Sequence, residues 1–114
     1  MQERLLIATR VKQTIAYVSK SVENYPHQEN VLKNHLLGSF DHLLRLVYLS
    51  NIHVGEKKIE YRRDLLVELR MIDYYLKISC EKKLISLKKY HSLGTYLLDI
   101  NNMILGWIKH ETSE

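Results

Sequence analysis

Apolar residues return along this chain in steps of three and four, the period of an amphipathic helix. Ile7, Val11, Ile15, Val18 and Val22 make one such stripe, with Arg4, Arg10, Lys12, Gln13 and Lys20 elsewhere on the wheel, which predicts a helix over 4–22. Asn24-Tyr25-Pro26 breaks it, because proline cannot continue a helix and restricts the residue before it. A second helix is predicted over 29–49, with Leu32, Leu36, Phe40, Leu43 and Val47 on one face and Leu37, Leu44 and Tyr48 in a stripe beside it. Two stripes exceed what one small bundle buries, so the surplus calls for a central position or for burial against another copy of the chain.

The residues 50–55, closed by Gly55, read as the next connection. A third helix over 58–79 carries Leu65, Leu69, Ile72 and Leu76, and 80–85 form a short loop. Ser86 then caps a fourth helix over 86–109, whose stripe runs through Tyr90, Leu93, Leu97, Ile100 and Ile104 to Ile108. Short connections between long helices make neighbours run antiparallel, so the expected fold is an all-α, up-down-up-down four-helix bundle in a single domain over 1–114.

Composition narrows the class. Four Gly and one Pro in 114 residues leave too few turns for a β-sandwich or barrel, and 46% hydrophobic residues are too many for a disordered tail. One cysteine, Cys80, rules out an internal disulfide framework and a multi-cysteine zinc site, and points to a reducing cytoplasm. The first eight residues lack the apolar core of a secretory leader, and no apolar run approaches a membrane span, so no membrane association is expected.

Catalytic constellations are missing from the pattern. Carboxylate-bridged di-iron bundles use Glu-x-x-His pairs, and none occurs; among six histidines only His35 and His42 share a helix face, and they read as surface or interface residues. Cys80 beside Glu81 and Lys82 has no histidine partner in the pattern and reads as a loop cysteine. Helical RNA-cleaving toxins carry four to six residues between an arginine and the following histidine, whereas seven lie between Arg45 and His53. Glycine-rich phosphate loops are absent as well. No catalytic, metal or cofactor residue is therefore expected.

Charge is the remaining signal. The whole chain has 17 Lys+Arg and 13 Asp+Glu, and residues 51 to 90 alone hold ten of the basic and six of the acidic residues, the full net excess of +4. Arg63, Arg70 and Lys77 recur every seven residues in one near-axial line with Val67 and Tyr74, and Arg62 adjoins it. Lys82 and Lys83 precede the fourth helix, and Lys88 and Lys89 occupy its first turn, where the helix dipole penalises a cation by roughly 0.3–1 kcal/mol. Such a surface neutralises phosphates without reading bases. The same residues also fit a solvated face, with Glu60, Asp64, Glu68 and Asp73 as ion-pair partners.

The order of landmarks adds a resemblance. Tyr25-Pro26 after the first helix, Leu76-Lys77-Ile78 leading through Leu84-Ile85-Ser86 to Tyr90, and Met103-Ile104-Leu105-Gly106-Trp107-Ile108 at the close span about residues 5 to 109. In this order the chain resembles the accessory variability determinant (Avd) family of diversity-generating retroelements, and the related four-helix proteins encoded in intervening sequences of ribosomal RNA genes. The resemblance implies a cytoplasmic, non-catalytic partner of a retroelement reverse transcriptase, assembled as a homopentameric barrel. Its basic surface would bind template-repeat RNA and DNA during mutagenic copying.

Under that resemblance Lys77 matches a basic position on the third helix, and Ser86 and Tyr90 match the start of the fourth. The closing family motif commonly reads Gly-Arg-Met-Leu-Gly-Gly-Trp; here Asn102 stands where the arginine would be and Leu105 replaces a small residue. The expected nucleic-acid-binding set is Arg62, Arg63, Arg70, Tyr74, Lys77, Lys82, Lys83, Lys88 and Lys89. The expected packing or oligomer set is Leu37, Leu44, Tyr48, Gly106 and Trp107, since a lone helical tryptophan more often anchors than stacks on bases. The intervening-sequence branch implies instead a homo-oligomeric interaction protein with no nucleic-acid role.

Overall fold

The computed structural model describes residues 3–112, with side chains from Leu6 to His110. The described residues are helical, with no strand: α1 (Glu3–Ser21), a short 3-10 turn (His27–Glu29), α2 (Asn30–Ile52), α3 (Glu56–Glu81) and α4 (Leu87–Thr112). α1 packs on α2, α2 on α3, α3 on α4, and α4 returns to α1. Four helices closed in a ring make a bundle of 48 × 23 × 21 Å.

The helix ends have local causes. Gly55 precedes α3 with φ of 68°, a backbone setting that strains any residue with a Cβ, and its carbonyl accepts the Ile59 N–H at 3.4 Å. α3 ends in a Schellman turn: the Leu84 N–H donates to the Ser79 carbonyl and the Lys83 N–H to the Cys80 carbonyl, both at 2.9 Å. Lys83 takes the left-handed position of that turn, with φ of 63°, where glycine is the usual occupant. At the start of α4 the Ser86 hydroxyl accepts the Lys89 N–H at 3.0 Å, the N-cap that the sequence predicts.

Three helices run further than their patterns predict, α4 reaching Thr112 where its pattern stops at 109. α2 extends to Ile52, because Ser50 continues the buried series Leu36, Phe40, Leu43 and Val47 by one more three-residue step. α3 takes in Cys80 and Glu81, which the sequence places in the loop.

The core is built from stripes that alternate three and four residues. α3 contributes Leu65, Leu69, Ile72 and Leu76, and α4 contributes Leu93, Leu97, Ile100, Ile104 and Trp107, all at 6% exposure or less. Each such side chain, fully buried, is worth roughly 1.5–3 kcal/mol. In α1, Thr14 is wholly buried between Val11 and Val18, while Ile15 of the expected stripe is only half-buried. The Thr14 hydroxyl can occupy the core because it donates to the Arg10 carbonyl at 2.8 Å.

Polar ties fasten the seams. Arg10 pairs with Asp99 across α1 and α4, His42 with Glu68 across α2 and α3, and the Tyr90 hydroxyl donates to Asp73 across α3 and α4.

Candidate nucleic-acid interface

The core stripe of α3 decides what its far side presents. At 100° per residue, Arg63, Val67, Arg70, Tyr74 and Lys77 fall on a line roughly 170° around the helix from Leu65 and Ile72. All five are exposed, Val67 at 61% and Tyr74 at 55%. None of Arg63, Arg70 and Lys77 forms an ion pair or a side-chain hydrogen bond among the described residues.

The acidic residues that could have neutralised this line are partly engaged elsewhere. Glu68 meets His42 Nδ1 at 2.6 Å, and Asp73 accepts the Tyr90 hydroxyl at 3.0 Å. Burial, then the Asp73 carboxylate, push the Tyr90 phenol up from its ordinary value. Glu60 and Asp64 are exposed beside the line and pair with no described cation.

The second cluster, around the α3–α4 turn, divides. Lys82 Nζ donates to Glu29 Oε1 at 3.0 Å, tying the turn to the start of α2. Lys89 is half-buried, its Nζ 3.0 Å from the Tyr17 hydroxyl and 4.1 Å from that ring's centroid. The hydrogen bond from Lys89, followed by that from Ser92, pulls the Tyr17 phenol below its ordinary value. Lys83 and Lys88 are exposed. Two of the four lysines are thus already used to hold helices together.

Arg62, expected on the basic surface with its neighbours, is instead wholly buried at one end of the core. Its Nε donates to Ser50 Oγ at 3.1 Å, its Nη1 to the Trp107 carbonyl at 3.3 Å, and its guanidinium carbon lies 3.6 Å from the centroid of the Trp107 ring. A planar cation on an indole face is a cation–π contact, strengthened by removal from water. The series Arg62, Leu65, Leu69, Ile72, Leu76, Ser79 is the core stripe in unbroken three-and-four steps. That register was visible in the sequence; charge obscured it.

Trp107 therefore lies in the core, while Gly106 is exposed. Leu37 and Leu44 are half-buried against the core, and Tyr48 is 43% exposed with Lys12 Nζ 5.6 Å from its ring centroid. Among the described residues no cluster of three or more His, Cys, Asp or Glu side chains could hold a metal ion, and no helix is long and apolar enough to cross a membrane. No family model, curated protein or solved structure matches the chain.

Proposed function

We propose that this chain is a non-catalytic nucleic-acid-binding protein that serves as the accessory subunit of a diversity-generating retroelement reverse transcriptase. The observation that carries the reading is the line of Arg63, Arg70 and Lys77, exposed and without ion pairs among the described residues, with Tyr74 exposed among them. Cations held apart on a rigid helix bind phosphates by releasing counterions, giving affinity that tolerates sequence and falls with salt. The ordered landmarks from Tyr25-Pro26 to Gly106-Trp107-Ile108, resembling the Avd family, support the link to a reverse transcriptase. In this account the polymerase performs the chemistry in the cytoplasm, and the bundle binds template RNA or DNA and positions it.

An up-down-up-down, antiparallel course belongs to the same proposal. Its support is the order of cross-helix partners: Glu29–Lys82, His42–Glu68 and Ser50–Arg62 climb α2 while descending α3. Homo-oligomerisation, as a pentameric barrel, would cover the half-buried Leu37 and Leu44 together with Tyr48.

Light scattering on a size-exclusion column tests the proposal, with the protein alone, with structured RNA, and with a diversity-generating retroelement reverse transcriptase. A ring-sized particle that co-elutes with the polymerase, and with RNA in a salt-sensitive way, is the expected result. An oligomer that ignores both would refute the accessory role and leave the intervening-sequence type of interaction protein.

A further inference from the structure

The order of residue types along the outer face of α3 is cation, apolar, cation, aromatic, cation: Arg63, Val67, Arg70, Tyr74, Lys77. At 1.5 Å per residue these follow one another at about 6.0 and 4.5 Å along the axis. The Tyr74 ring is braced from one side, its centroid 5.6 Å from that of Tyr75, which in turn stacks on His35 at 5.4 Å with planes 11° apart. The rest of the ring is open to water, and its hydroxyl makes no hydrogen bond among the described residues.

We propose that this face binds a single-stranded segment of nucleic acid, with one unpaired base stacked on Tyr74 and the flanking phosphates held by Arg70 and Lys77. The proposal rests on the reading of α3 as a nucleic-acid surface and adds the form of the ligand. A single strand alternates phosphates with bases whose faces are free, which is the alternation α3 presents. In a duplex those faces are already stacked, so a rigid exposed ring among the cations would find only sugars and base edges. An exposed aromatic set between lysine and arginine side chains is the usual platform for unpaired bases, and it tolerates any sequence because every base has a face to offer.

The test is fluorescence anisotropy with a labelled 20-nucleotide oligouridine and with a blunt 20-base-pair RNA duplex, at one fixed salt concentration. Wild type, Tyr74→Ala, Tyr74→Phe and the triple variant Arg63→Ala/Arg70→Ala/Lys77→Ala are compared. Tyr74→Ala should weaken the single strand by between roughly fivefold and 150-fold, the range that loss of one stacked base corresponds to. Duplex binding should stay within about twofold, and Tyr74→Phe should restore the single strand, because stacking needs the ring and not the hydroxyl. Because Tyr74 is exposed, circular dichroism should show every Tyr74 variant folded as wild type is.

Equal losses on strand and duplex in Tyr74→Ala, or no loss on either, would overturn the stacking proposal. If the triple variant still weakened both ligands in that case, α3 would remain a phosphate-binding surface. Unchanged binding in the triple variant, or no binding by wild type, would overturn that surface and the stacking proposal together.

Discussion

Arg62 and Arg63 are adjacent in the chain and have opposite fates. The first is sealed at the end of the core between Ser50 and Trp107, and the second stands in water on the outer face of α3. A helix turns 100° per residue, so adjacent side chains are separated by more than a quarter of its circumference. Arg62 falls on the edge of the buried stripe and Arg63 falls opposite it. A basic segment is therefore not one surface. Arg62 holds elements of the fold together, while Arg63, Arg70 and Lys77 stand in water without an ion pair among the described residues.

Substitutions at the closed end should have the largest effects, and those effects should be on stability alone. Trp107→Ala removes a buried ring and the face on which a buried cation rests, so it should lower unfolding free energy by about 3–5 kcal/mol in urea denaturation. Arg62→Met keeps the apolar stem but removes the buried donor of the Ser50 hydroxyl and the Trp107 carbonyl, and should lower stability by about 1–3 kcal/mol. A larger loss in Arg62→Met than in Trp107→Ala would show that the charge, and not packing, stabilises this end. Neither variant should change the salt dependence of nucleic-acid binding measured on the folded protein.

The α3–α4 turn lies between these extremes. Lys83 occupies a left-handed position that costs a side chain roughly 1–2 kcal/mol. Lys83→Gly should therefore stabilise the bundle by about 1 kcal/mol in thermal or urea unfolding. If the lysine is retained for phosphate contact, the same variant should bind RNA less tightly while being more stable. Stabilisation without any change in binding would assign Lys83 no part in the interface.

The smallest effect concerns a lysine already engaged in the fold. Tyr17 ionises below its ordinary value of 10.0 because Lys89, and then Ser92, bond to the phenol oxygen. In the ultraviolet titration of tyrosinate, the difference between wild type and Tyr17→Phe should therefore have its midpoint below pH 10, and Lys89→Met should move that midpoint upward. Because the folded state holds this phenolate better than the unfolded chain does, the contribution of Tyr17 to stability rises as pH climbs through its lowered pKa. It is complete only above the unfolded value. A midpoint indifferent to Lys89→Met would show that the Lys89–Tyr17 tie does not persist in solution.

Much of this architecture was legible in the sequence because apolar spacing reports directly on burial. The stripe of α3, that of α4 from Leu93 to Ile104, the break at Pro26 and the Ser86 cap all follow from residue type and local spacing, whereas the α4 stripe closes on Trp107 and leaves Tyr90 and Ile108 half-buried. Thr14 and Ser50 were missed because polar residues are counted outside the core, although short hydroxyls can be buried when they find a local carbonyl or a neighbouring donor. Arg62 was misplaced for a related reason. Its charge assigned it to the surface, while its position three residues before Leu65 assigned it to the core.

The line of Arg63, Arg70, Tyr74 and Lys77 was legible, since a seven-residue period keeps a helix face. What the sequence could not reveal is which cations are already occupied. The partners of Lys82 and Lys89 are Glu29 and Tyr17, each more than fifty residues away, and only the closed bundle brings them together.

The most direct test of this division of α3 is the salt dependence of single-stranded RNA binding, measured side by side for wild type, Arg62→Met and Arg63→Ala/Arg70→Ala/Lys77→Ala. The account predicts that the slope of log K against log salt is unchanged in Arg62→Met and falls in magnitude by about 2 in the triple variant, the effect of three lost phosphate contacts on a single strand. An unchanged slope in the triple variant, or an equal fall in folded Arg62→Met, would contradict it.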